Sequence, residues 1–394
     1  MSNIPKKPHI LFLFSDTGGG HRAAATAIQE ALTVEFPGQV DWEMVDFFKD
    51  YAPPPLNKAG PDYSNMAQLP DVWEMFFEAS NTRTTAKLAQ YLAWPLVKSG
   101  VDRLIEEHPC DLIISVHPII NPPILRAFGE NRPPYLTVVT DLITTHQYWY
   151  NRGSDIIIVP TEEAFERGIK LGVDADKMHI VGLPIKEGYR NPIQKQEARK
   201  KLELPTDLPL VLMVSGGDGM GPLEETVAAI NDAKVPTGLV IIAGRNQALK
   251  QRLESLEYPH PAFIKGFTTD MPTYMQACDI IITKAGPGTI SEACIAGLPI
   301  ILYSKIPGQE NGNVDYVLNH KAGVWENDPK KVAGILKDWI ENPGQMKAFA
   351  EASRSLGRPD ASHLIAQTAM ALLGLYDMNK ICYYDKRNPN GSMG

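Results

Sequence analysis

Short apolar runs, each closed by a turn and followed by a helical stretch, recur along the chain. This alternation predicts βαβ units built around parallel sheets. His9–Phe14 (HILFLF) is apolar after its first residue, as a strand covered on both faces must be. Arg22 to Val34 predicts a helix, with Ala24, Ala27, Ile28, Ala31 and Leu32 on one face. Further strands are expected at 111–116, 135–140 and 155–159. They complete a first doubly wound domain over 1–185, which carries an aromatic-rich insertion near 50–95. The polar stretch 186–207 predicts a short helix and linker. A second series at 208–214, 238–243, 262–264, 279–283 and 299–303 predicts another Rossmann-like domain over 208–365. Its last helices are expected at 330–340 and 362–373, with 366–394 forming a terminal helix and a flexible tail.

Composition narrows the function classes. The 394 residues are 44% hydrophobic and 21% charged, with a formal net charge of -8. That balance supports two ordinary cores and argues against a general nucleic-acid binder, which needs a basic face. Cys110, Cys278, Cys294 and Cys382 form no CxxC pair, which favours a reducing compartment. No zinc-ligand spacing appears, and no stretch approaches the roughly 18 apolar residues of a membrane span. The opening MSNIPKKPHILFLFSD holds too short an apolar run for a secretory signal.

Two α/β domains imply a cleft facing the carboxyl ends of both sheets, where ligands of open α/β sheets bind. Chemistry is therefore sought in the loops after strands. The first is SDTGGGH, where Gly19 and Gly20 let a ligand approach the backbone and lead into free helix N–H groups. A tight turn would use the same glycines. His21 at its end has the right chemistry for a general base near neutral pH, or for a structural hydrogen bond. The second, TDLITTHQYWY, puts Asp141 after a strand, to orient His21 or His146 or to accept a proton itself. Tyr148, Trp149 and Tyr150 offer an aromatic platform with polar tips. The third, SGGDGMG, contains Gly216 and Gly217 and suits a diphosphate. The fourth is the most specific: KAGPGTISEA, then GLP, then PGQENGN. A Gly-Pro-Gly turn opens a helix near Thr289, and Glu292 lies one turn inside it, suited to a ribose diol or simply to the helix dipole. Gln309 and Glu310 are candidates for gripping sugar hydroxyls.

FSDTGGGHRAAATAI, TDLITTHQYWY, GGDGMG and KAGPGTISEACIAGLPIILYSKIPGQENGN together resemble the monogalactosyldiacylglycerol synthase family, which includes bacterial diacylglycerol glucosyltransferases. The resemblance runs in order from about His9 to Ile365. It implies a GT-B fold, a UDP-sugar donor held mainly by the C-terminal domain and an acceptor held mainly by the N-terminal one. It further implies transfer of galactose or glucose to diacylglycerol with inversion, and no cofactor, since the UDP-sugar is a substrate. His21 would activate the acceptor hydroxyl with Asp141 or His146 in support. Glu292 would bind ribose, Phe267 would lie near the uracil, Gln309 and Glu310 would read the hexose, and Gly288 and Thr289 would meet the diphosphate. Lys284 or Arg245 would take up negative charge on departing UDP. The aromatics of the insertion suit either docking to a membrane surface or core packing of a helical pair. The basic cluster at 195–201 would either add attraction to anionic lipid or form a solvated helix face. The expected location is peripheral, on the cytoplasmic face of a membrane. Alternatives are a transferase with another acceptor, a UDP-sugar epimerase, or a UDP-sugar-binding protein without turnover.

Overall fold

The structure, a computed structural model, describes residues 7–16, 19–54, 56–58, 74–75, 77, 80–129, 131–216 and 221–384. Gly217 and the insertion aromatics Tyr63, Trp73 and Phe76 lie outside the described residues. The chain forms two compact units: Met1–Glu187 with Asp360–Gly394, and Gly188–Pro359.

The first unit carries a parallel sheet of β1 (His9–Phe14), β2 (Asp41–Asp46), β3 (Leu112–Ser115), β4 (Tyr135–Val138), β5 (Ile156–Val159) and β6 (Met178–Ile180). Their order in the sheet is β2-β1-β3-β4-β5-β6. Side chains alternate between two cores. Ile10, Phe12 and Phe14 pack under the helices Gly20–Glu35 and Ala361–Leu372, while Leu11 and Leu13 meet Val97, Val101 and Leu104 of the helix Arg83–Glu107. That division explains the unbroken apolar run of β1, since both faces are covered.

The second unit repeats the plan with β7 (Leu210–Val214), β8 (Gly238–Ile242), β9 (Ala262–Lys265), β10 (Ile280–Lys284), β11 (Ile300–Ser304) and β12 (Gly323–Trp325), ordered β12-β11-β10-β7-β8-β9. All the pairs are parallel. The helix Ala361–Leu372, which sequence order places at the end of the second domain, instead packs in the first unit. There Ala361, Ile365, Ala366 and Ala369 join the core beside Ile28 and Leu32. In each sheet the strand order reverses once, between β1 and β3 and between β10 and β7. Connections leave in opposite directions at those points and open a crevice at the strand ends.

Candidate functional site

In the first unit the reversal point is occupied by His21. Gly19, in the left-handed region at φ 76°, caps the helix Gly20–Glu35 without any side-chain cap, and the first turn holds no acid. A side chain at Gly19 or Gly20 would meet nothing within 4 Å among the described residues. His21 turns its Nδ1 onto the main-chain carbonyl of Val116 at 2.7 Å, just beyond β3, and lies 3.0 Å from Thr140 Oγ1, just beyond β4. A carbonyl only accepts, so Nδ1 carries the proton and Nε2 keeps a lone pair. An edge of the residue reaches the surface, yet the ring is packed deeply enough that burial pulls its pKa from 6.5 to about 4. The Val116 carbonyl and the charge of Asp46 act in the opposite direction. The His117 ring stands 4.5 Å away and that of Trp149 6.3 Å. His117 is itself held well below the usual range, by burial and then by its proximity to His21.

Asp141 Oδ2 accepts from Trp149 Nε1 at 2.7 Å, which fixes the indole wall beside His21. His21 itself is held by the Val116 carbonyl and Thr140 Oγ1. His146 serves its own loop: its Nδ1 accepts from the Tyr148 N–H (3.2 Å), so Nε2 carries the hydrogen that reaches Ser80 Oγ (3.2 Å). Burial, then the charge of Arg167, lowers it to about 4. Asp46, at the end of β2, bonds the Asp16 N–H (3.0 Å), and Asp16 in turn grips Arg22 through two bonds.

In the second unit the reversal point gathers the loops after β7, β10 and β11. Gly216, at φ 77°, lies against Lys284, whose Cε would stand 3.1 Å from a side chain added there. Lys284 Nζ pairs with Glu310 Oε1 at 2.7 Å, and Glu310 Oε2 accepts from the Ile306 N–H at 2.8 Å. Glu310, expected to grip a sugar hydroxyl, is buried with both oxygens engaged and orients Lys284. Gln309 is half-buried one residue earlier. The helix Pro287–Ala296 has neither a side-chain cap nor an acid in its first turn. The space before exposed Gly288 is empty to 4 Å. The Gly288 and Thr289 amides are thus a ready anion site. Half-buried Glu292 is bonded by Tyr189, whose phenol is raised well above 10, first by burial and then by that carboxylate. Phe267 presents an exposed ring with the Arg245 guanidinium 5.0 Å from its centre.

Motif reading missed Val116, Thr140, His117, Asp46 and Tyr189. Thr140, though inside a quoted motif, is assigned its role only by the neighbouring strands. Tyr189 sits in the polar stretch read as linker. Among the described residues no three His, Cys, Asp or Glu side chains gather as a metal site.

Two parallel sheets of this order, each with glycine-bordered amides at its reversal point, define a GT-B glycosyltransferase fold. A Staphylococcus aureus MnaA–UDP co-structure matches with a TM-score of 0.63 at 14% identity, covering 93% of this chain and 97% of that one. Acinetobacter baumannii MurG matches at 0.60 and 15%, covering 92% and 99%. At such identities these likenesses establish the fold. Residues 21–185 match the family described as monogalactosyldiacylglycerol (MGDG) synthase, and 194–356 match glycosyl transferases group 1. Monogalactosyldiacylglycerol synthase 3, chloroplastic, of Arabidopsis thaliana is 38% identical over 89% of this chain and 78% of its own length. A probable monogalactosyldiacylglycerol synthase 2, chloroplastic, of Oryza sativa subsp. indica is also 38% identical, over 90% and 78%. The chain belongs to the monogalactosyldiacylglycerol synthase family and is a glycosyltransferase. These relatives are chloroplastic, which overturns the expected cytoplasmic-face location. No described helix is long and apolar enough to cross a membrane.

Proposed function

We propose that the chain transfers galactose from UDP-galactose to diacylglycerol with inversion, giving a β-galactosyldiacylglycerol. The observation that carries this reading is the fixed tautomer of His21, which leaves Nε2 as a base at the strand-order reversal of the first unit. In the transfer, Nε2 takes the proton of the acceptor hydroxyl. Its oxygen forms the bond to the anomeric carbon as the bond to the diphosphate oxygen breaks, and that electron pair leaves with UDP. A single displacement of this kind inverts the carbon and needs no protein nucleophile.

The second unit supplies the donor's contacts. The Gly288 and Thr289 amides and Lys284 face the diphosphate and stabilise its growing charge. Glu292, steadied by Tyr189, takes the ribose diol, and Phe267 with Arg245 stacks on the base. The names of the curated relatives favour galactose and diacylglycerol, and the MnaA neighbour was solved with UDP. The test is incubation of purified protein with radiolabelled UDP-galactose or UDP-glucose and diacylglycerol vesicles, followed by separation of the lipids. Label from UDP-galactose in a β-linked monoglycosyl lipid is expected. Water-soluble label alone, or an α-linked product, refutes the assignment.

A further inference from the structure

The helix Arg83–Glu107 has two apolar faces. Ala86, Val97, Val101 and Leu104 are buried, the last three within the core of the first unit. On the opposite side Leu88, Tyr91, Leu92 and Leu96 are 57%, 70%, 61% and 62% exposed. Their i, i+3, i+4, i+8 spacing makes one continuous stripe. From Thr84 to Val101 the sequence carries Lys87 and Lys98 and no acidic residue, in a chain of net charge -8. Lys98 pairs with Asp102, and Arg126 lies 4.5 Å from the centre of the Trp94 ring on the same helix. An exposed apolar stripe with a basic border is the composition of a helix lying in a lipid interface.

The start of this helix is joined to the loop that walls the base. Tyr148 Oη donates to the Ala86 carbonyl (3.2 Å), the Gln147 N–H to Asn81 Oδ1 (2.9 Å), and Ser80 Oγ meets His146 Nε2 (3.2 Å). We propose that the stripe Leu88–Tyr91–Leu92–Leu96 is the surface by which the protein docks on a bilayer, with Lys87 favouring anionic lipid. The occupant is a lipid surface because, on the function proposed above, the acceptor resides there and its hydroxyl must reach His21, whose ring neighbour Trp149 lies in the loop that is hydrogen-bonded to this helix.

The experiment compares the parent with Leu92→Ser/Leu96→Ser and with Lys87→Glu in co-sedimentation with phosphatidylcholine vesicles, with and without phosphatidylserine. The altered side chains are exposed, so melting temperatures should be unchanged. The serine pair is expected to weaken partitioning about tenfold or more, since two large apolar groups no longer leave water. Lys87→Glu should weaken binding only where phosphatidylserine is present. Transfer to water-dispersed dihexanoylglycerol should match the parent in both variants, while transfer to vesicle-borne diacylglycerol falls. Partitioning equal to the parent overturns the proposal. So does a concentration-dependent dimer that the serine pair abolishes while vesicle binding persists, because the stripe would then cover a second copy. Absence of transfer to either acceptor in the parent would refute the proposed function and leave the partitioning result standing on its own.

Discussion

The neutrality of His21 gives a quantitative prediction. Lowering an imidazole from 6.5 to about 4 means that charging it in place costs about 3 kcal/mol, at roughly 1.4 kcal/mol per unit of pKa. Burial supplies the cost, and the Val116 carbonyl and the Asp46 charge offset only part of it. At neutral pH essentially every molecule therefore holds Nε2 unprotonated. The acid limb of kcat/KM should fall near pH 4 to 5 and not near 6.5. Measuring transfer to diacylglycerol between about pH 3 and 8, with controls for irreversible inactivation, reads this directly. The same depression has a stability consequence. Between 6.5 and about 4 the unfolded chain takes up a proton at this residue that the folded chain refuses, so stability must decline as pH falls through that window and be fully present above it. His146, also near 4, adds to the same slope. His21→Gln should cut kcat by about 10²–10⁴ while leaving UDP affinity intact, since the lost group is the base. An acid limb centred at 6.5, or a glutamine variant with unchanged turnover, would remove His21 from the role.

Glu292→Ala should weaken UDP binding measured by calorimetry. Tyr189→Phe should weaken it by about 1 kcal/mol, because the carboxylate loses its orienting hydrogen bond; unchanged affinity in both would detach this pair from the nucleotide. Gly288→Ala should leave the melting temperature nearly unchanged, as the added methyl meets only open space, yet reduce UDP affinity by intruding where the diphosphate approaches. Gly100→Ala should do the reverse. Its Cβ would stand 2.0 Å from the Tyr51 carbonyl oxygen, so denaturant titration should show about 1–3 kcal/mol of destabilisation through forced separation of the helices Arg83–Glu107 and Phe47–Tyr51.

The sheet centres were legible because strands covered on both faces must be apolar throughout; HILFLF and the run containing Leu210–Val214 announce themselves in this way. Of the four edge strands only Ala262–Lys265 was expected; the other three were not. Asp41–Asp46 reads DWEMVD and is only partly buried, while Met178–Ile180 and Gly323–Trp325 have three residues each, too few to show a period. The motif proposed to meet the donor stood out for a related reason, since an anion that approaches a backbone closely demands glycine, and glycine is visible in a sequence. The orientation of the base had no such signature. His21 is aligned by a main-chain carbonyl, an atom that every residue possesses, so nothing in the identity of Val116 discloses the role. The closing helix shows the same limit at longer range. Ser362 Oγ donates to the Ile185 carbonyl at 2.6 Å, and His363 lies between Glu35 and Glu187 at 3.0 and 2.6 Å, partners far away in the chain. The sequence therefore displays the groups proposed to meet substrate, because their chemistry restricts residue type. The groups that aim them act through topology, and substitution at Val116 should accordingly register as a change in core packing with the tautomer of His21 preserved.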